Sequence, residues 1–171
     1  MKAHGDEILR FCISMLSDAA TAEDVRQTIF VDAYNSLEGY SGAGELRSWL
    51  FGIARHRCLD AAKAGRRWRW RFGANPPPAE RTSDATSDAT SDAAADASLA
   101  LEQRQRAAIV RDCLRQLPAG IRVLVLLRYE EGLPYREIAR MSGEQPATVQ
   151  ARVARALPGL RGCVEQKGLA L

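Results

Sequence analysis

Histidine is almost absent from this chain: His4 and His56 are the only two in 171 residues. A catalytic triad or a histidine-bearing metal site would need one of them. His4 stands at the very start, and His56 lies inside Arg55-His56-Arg57, which reads as part of a basic face. GxSxG elbows, HExxH helices, P-loops and dinucleotide-binding glycine patterns are also missing. The expectation is a non-enzyme with no metal, no cofactor and no small-molecule substrate. Cysteine is sparse too. Cys12, Cys58, Cys113 and Cys163 lie far apart without a CxxC pair, so they are expected to be buried small hydrophobes. No apolar run approaches the ~18 residues of a membrane helix. The first residues, Met1 to Glu7, lack the apolar stretch of a secretion leader. A cytoplasmic protein is expected.

What is present is a core-forming composition with an uneven charge. Hydrophobic residues make up 46% and charged residues 26%, enough for one domain or two very small ones. Net charge is only +3, but residues 46–72 carry eight Lys/Arg against the single acid Asp60. Residues 73–100 carry Arg81 against five acids, and residues 101–171 carry twelve basic groups against seven acidic ones. Two basic blocks thus flank an acidic connector. That pattern suits two separate contacts with a polyanion, although basic helix faces are often merely solvated.

The connector, 73–98, reads as a flexible acidic linker. It opens with Asn75-Pro76-Pro77-Pro78, which cannot continue a helix, and repeats Thr-Ser-Asp-Ala three times from Thr82 to Ala93. On either side the periodicity is helical, which predicts an all-α fold of two small helical domains, 1–72 and 99–171. In the first, helices are expected from about Asp6 to Leu16, from an N-cap at Thr21 through the stripe Val25, Ile29, Ala33 and Leu37 with Phe30 and Tyr34 beside it, and from Leu46 to about Ala64. Trp49 falls on the apolar stripe and is expected in the core. In the second, a long helix ends at Leu117-Pro118 and a strongly apolar helix follows over Ile121–Leu127.

Two further segments have the spacing of a helix-turn-helix. Ala139 supplies the small residue at the helix crossing, Gly143 the turn and Val149 the buried aliphatic of the second helix. If Val149 and Val153 face inward, Gln150, Ala151, Ala154 and Arg155 face outward. Arg155 then suits guanine, Gln150 adenine, and Arg152 a phosphate. The alternative is an ordinary helical hairpin without a DNA role. Upstream, Arg66-Arg67-Trp68-Arg69-Trp70-Arg71-Phe72 interleaves arginines with aromatics, so Arg66, Arg67 and Arg69, with Arg55, Arg57 and Lys63, are candidate DNA contacts. Trp68, Trp70 and Phe72 either stack on unpaired bases or fold back on the domain.

Three motifs in order carry a family resemblance: Ala22-Glu23-Asp24-Val25-Arg26-Gln27-Thr28-Ile29-Phe30, Ser48-Trp49-Leu50-Phe51-Gly52-Ile53-Ala54-Arg55, and Gly132-Leu133-Pro134-Tyr135-Arg136-Glu137-Ile138-Ala139. The chain resembles the bacterial sigma factors of the extracytoplasmic-function type. That resemblance implies a subunit that binds core RNA polymerase, recognises promoter DNA, helps to melt it, and is held in check by an anti-sigma factor. Residues 1–72 would be region two, which binds the polymerase clamp and the minus-ten element, and 99–171 region four, which binds the minus-thirty-five element. Asp24 and Gln27 match positions that face the polymerase, with Thr28 in place of the usual glutamate. Tyr40–Arg47 matches the loop that captures a minus-ten base. Pro158-Gly159 is expected to interrupt the recognition helix. The competing readings are a stand-alone helix-turn-helix regulator and a pure interaction module.

Overall fold

The structure, a computed structural model, describes residues 4–40, 42, 45–72 and 93–169, with side chains for 4–40, 42, 45–67 and 101–169. Among the described residues the regular elements are all helical: α1 (Gly5–Leu16), α2 (Ala19–Ser36), α3 (Leu46–Phe72), α4 (Ala93–Gln116), α5 (Ala119–Tyr129), α6 (Tyr135–Ser142) and α7 (Pro146–Gln166), with a short 3-10 turn at Leu37–Gly39. Residues 73–92 of the expected linker lie outside the described residues. Its last residues are helical, because α4 already begins at Ala93.

In the first half, α1 buries Ile8, Phe11, Cys12 and Met15, a helical spacing that puts all four on one face. Asp6 and Glu7 sit in its first turn, where negative charge complements the helix dipole. Ser17 ends the helix in the left-handed conformation, its N–H returning to the Ile13 carbonyl. α2 starts earlier than the sequence predicts. Asp18, not Thr21, is the cap, and its carboxylate accepts the Thr21 N–H at 2.8 Å and the Thr21 hydroxyl. α3 brings Leu50, Phe51, Ala54 and Cys58 into the same core, with Phe51 edge-on to Phe11 at 5.4 Å, and it runs on past Ala64 to Phe72. Cys12 and Cys58 are buried as expected, their sulfurs 3.6 Å apart.

The second half departs from the expectation for cysteine. Cys113 on α4 and Cys163 on α7 form a disulfide across a sequence separation of 50. Chain entropy alone assigns such a closure ~4 kcal/mol of stabilisation. The spacing shows no CxxC signature because the two residues meet only through the packing of α4 on α7. α5 buries Val123, Leu124, Val125, Leu126 and Leu127 in succession, since helices cover it on several sides: α4 and α7 from its own half, α1 and α3 from the other. The helix-turn-helix forms as predicted. Ala139 is buried at the crossing, Val149 and Val153 are fully enclosed, and Gly143 caps α6 at φ 68° with its N–H on the Ala139 carbonyl. Glycine, without a Cβ, is favoured at that angle.

Pro158 does not interrupt α7, which continues unbroken to Gln166. Proline there withholds one N–H, from the carbonyl of Ala154. Ala154 lies on the exposed face where solvent can substitute, while Leu157, Leu160, Val164 and the disulfide hold the far side of the helix against the core. The two halves share one apolar core, α1 and α3 of the first resting on α5 of the second and α3 also on α6.

The Asp18 cap supplies the first test. Bonds from Thr21 hold its carboxyl below the usual aspartate range. Its contribution is therefore in place above that range and is lost as pH falls through the lowered value. Asp18→Ala is expected to lower stability by about 1 kcal/mol at neutral pH. In urea unfolding at a series of pH values, the difference from wild type should close as the carboxylate is protonated.

Candidate nucleic-acid interface

The exposed face of α7 is built by what lies beneath it. Val149 and Val153 anchor the helix, so Gln150, Ala151, Ala154 and Arg155 stand outward together, as the sequence predicts. Two alanines leave the surface low, and Arg155 is steadied by a bond from Nε to the Ala151 carbonyl at 3.2 Å. A flat, small-residue helix face with one long donor at each end is the shape that enters a major groove. Thr148 joins this face near the helix start, and Arg136 and Arg140 are exposed on α6. The two arginines are additions that sequence reasoning missed, although their four-residue spacing on the first helix of the unit was there to be read.

Arg152 is placed differently from its neighbours. Its Nη1 reaches both Glu144 carboxylate oxygens at 2.7 Å, across the turn between α6 and α7. Both side chains are partly shielded from water. The pair fastens the recognition helix to the turn in front of it.

On α3 the candidates divide. Arg66 and Arg67 are exposed; Lys63 is exposed within 3.5 Å of Asp60. Arg57 is exposed and bonded to Asp32 of α2. Arg55 is turned inward: Nη1 points to the Met141 carbonyl of α6 at 3.4 Å, Nε is buried without a partner, and loss of water pulls its pKa down. The side chains of Trp68, Arg69, Trp70 and Phe72 lie outside the described residues, and with them the choice between stacking and packing. Trp49 is only partly buried. It lies against Tyr40, ring centres 5.2 Å apart, at the edge of a cleft of about 440 Å³ that Glu45 and His56 also line, with Glu137, Arg140 and Met141 across from them.

On α2, Asp24 and Gln27 are exposed as the sequence predicts, opposite the buried Ala22, Ile29 and Ala33. The Gln27 amide donates to Glu23, and the Thr28 hydroxyl turns back to the Asp24 carbonyl at 3.0 Å. The same exposed face continues through Val31 and Tyr34, 58% and 70% exposed. Tyr34 was expected beside the apolar stripe and instead faces solvent, giving this face an apolar end next to its polar one. Among the described residues no group of His, Cys, Asp and Glu is arranged to hold a metal, and no helix is long and apolar enough to cross a membrane.

Known proteins share this arrangement. Residues 1–69 match the family described as Sigma-70 region 2 and residues 107–157 match Sigma-70, region 4. The RNA polymerase sigma-H factor of Pseudomonas aeruginosa is 31% identical over 157 residues, covering 88% of this chain and 76% of that protein. The ECF RNA polymerase sigma factor SigK of Mycobacterium tuberculosis H37Rv is 30% identical over 156 residues, with the same shares covered. Among solved structures, the sigma factor RpoE in complex with the anti-sigma factor NepR from Bartonella quintana is similar in fold. Its TM-score is 0.68 at 21% identity, over 94% of this chain and 91% of that one.

The Arg152–Glu144 pair yields a discriminating prediction. Arg152→Ala and Glu144→Gln are each expected to lower the unfolding free energy by about 1 kcal/mol, and the double variant by less than the sum. Equilibrium unfolding of the four proteins measures this. If Arg152→Ala leaves stability unchanged and weakens DNA binding alone, Arg152 is a phosphate contact and not a brace.

Proposed function

The chain belongs to the sigma-70 family, in its extracytoplasmic-function branch, and from that membership we propose how its two halves divide the start of transcription. It is an RNA polymerase sigma factor, a subunit that binds core polymerase, brings it to promoter DNA and is answered by an anti-sigma factor. The observation that carries the reading is the presence of both region matches, in order, in one chain. A stand-alone regulator would need only the helix-turn-helix and would leave the first half without a task.

In this reading the first half, 1–72, meets polymerase through α2. Asp24 and Gln27 supply polar contacts, and Val31 and Tyr34 extend the same exposed face with apolar area. Its α3 carries Lys63, Arg66, Arg67 and Arg69 toward DNA near the minus-ten element, and the loop 40–47 with Trp49 offers the place for a displaced base. The second half lays α7 in the major groove of the minus-thirty-five element, with Gln150 and Arg155 reading bases, Ala151 and Ala154 allowing close approach, and Arg136 and Arg140 of α6 near the backbone. Residues 73–92 tether the halves. The factor works in the cytoplasm, where polymerase and chromosome are. It contributes binding free energy and no bond chemistry of its own.

Run-off transcription by core polymerase across a library of single-base promoter variants tests this division. Initiation should require the protein, and Asp24→Lys should reduce it on every promoter by weakening polymerase binding at unchanged helix content. Arg155→Ala should relax preference at one upstream position, where a bidentate arginine–guanine pair discriminates by ~1–3 kcal/mol. Arg67→Ala should lower all promoters alike and flatten the salt dependence. A uniform loss with Arg155→Ala would move base reading to another residue, and initiation without the protein would remove the function.

A further inference from the structure

The four cysteines meet in two pairs, one in each half, and the pairs stand in different states. Cys113 and Cys163 are joined. Cys12 of α1 and Cys58 of α3 are free thiols, although they lie sulfur to sulfur: the Cys58 thiol donates to the Cys12 sulfur at 3.6 Å. Both are fully enclosed, in the core that Ile8, Phe11, Met15, Ile29 and Phe51 build. They are 46 residues apart in sequence, so only the packing of α1 on α3 brings them together. A disulfide needs its sulfurs at ~2.0 Å, a closure of roughly 1.6 Å from the observed distance. A change of rotamer about one Cα–Cβ bond moves a sulfur further than that.

Burial separates the two pairs. Cys163 is half-buried, so an oxidant in water reaches that pair directly. Cys12 and Cys58 are reached only when α1 lifts from α3, which makes any reaction there wait on local opening. The two enclosed thiols also differ from each other. The bond to Cys12, together with burial, pushes the Cys58 pKa well above the ordinary thiol range, which leaves Cys12 as the attacking sulfur and Cys58 as the one that answers it.

We propose that Cys12 and Cys58 are a peroxide-oxidisable pair, which closes to a disulfide and locks α1 onto α3 inside the first half. The Cys12 thiolate attacks one oxygen of hydrogen peroxide. The O–O bond breaks, and the departing hydroxide takes up the proton that Cys12 gave away, leaving a sulfenic acid on Cys12. Cys58 then attacks that sulfur. An S–S bond forms, the S–O bond breaks, and the Cys58 proton leaves with the oxygen as water. Two thiols and one peroxide become one disulfide and two waters. Both sulfurs lie beneath the surface, so the link stiffens the core and leaves the exposed face of α2 as it is.

Treatment of the full chain with hydrogen peroxide, followed by non-reducing tryptic mapping by mass spectrometry, tests the pair on the wild-type protein. The peptide 11–26 should appear joined to the peptide 58–63, two hydrogens lighter than their sum. The link should form slowly in native buffer and several-fold faster in urea below the unfolding transition, since opening limits it. The linked protein should unfold several degrees above the reduced one, because the link restricts the unfolded chain. Cys58→Ser should give no link and instead a Cys12 sulfenic acid that dimedone captures, while Cys12→Ser should leave Cys58 a thiol. Wild type that keeps both thiols, carries them to sulfinic acids without joining the two peptides, or links either one to Cys113 or Cys163 overturns the pair. A joined protein that unfolds at a lower temperature than the reduced one overturns the lock.

Discussion

Everything in this molecule depends on α3 serving two cores at once. Leu50, Phe51, Ala54 and Cys58 bind it to α1 and α2, which makes the first half a folded unit. The other side of the same helix, at Arg47, Ser48, Gly52 and Arg55, receives α5 and α6. Beyond that contact α3 extends to Phe72 and carries the arginine-rich stretch. One helix thus joins a face toward its own half, a face toward the other half and a basic end. The chemistry separates them: apolar side chains toward α1 and α2, charged hydrogen-bonded groups beside a shared apolar core toward α5 and α6, and exposed arginines at Arg66 and Arg67.

The second half solves a related problem with different means. Its helix α7 presents low, polar positions outward near its start, which leaves few apolar residues there to hold it. Val149 and Val153 do so near its start, the Arg152–Glu144 pair ties it to the turn, and the Cys113–Cys163 disulfide fixes its far end to α4. With both ends secured, the helix absorbs Pro158 without breaking. The exposed face at Gln150–Arg155 lies between these fastenings, so its geometry is set by the packing beneath it.

How much of this was legible in the sequence follows from the range of each interaction. Helices and their buried faces repeat every three or four residues, so α1, the α6–α7 unit and the inward valines could be read directly. The outward residues of α7 followed from the same periodicity. The capping of α2 by Asp18 was a local signal too, passed over in favour of Thr21, which in fact donates to that carboxylate. Tyr34 lay next to a genuine apolar stripe and only the packing shows it facing out. Contacts between distant residues could not be read at all. Nothing near Cys113 announces Cys163, nothing near Arg55 announces Met141, and Arg47 finds Glu131 only because α3 lies against the end of α5. The sequence made Arg55 a candidate DNA contact; the structure adds that its guanidinium points to the Met141 carbonyl.

The central claim is that this chain reads two promoter elements at once, and only as part of polymerase. Hydroxyl-radical footprinting of promoter DNA with core polymerase measures it most directly. The account predicts two protected patches centred about two helical turns apart, present with polymerase and this protein together and absent with either alone. Protection of a single duplex site by the free protein, without polymerase, would contradict it and return the chain to the class of stand-alone regulators.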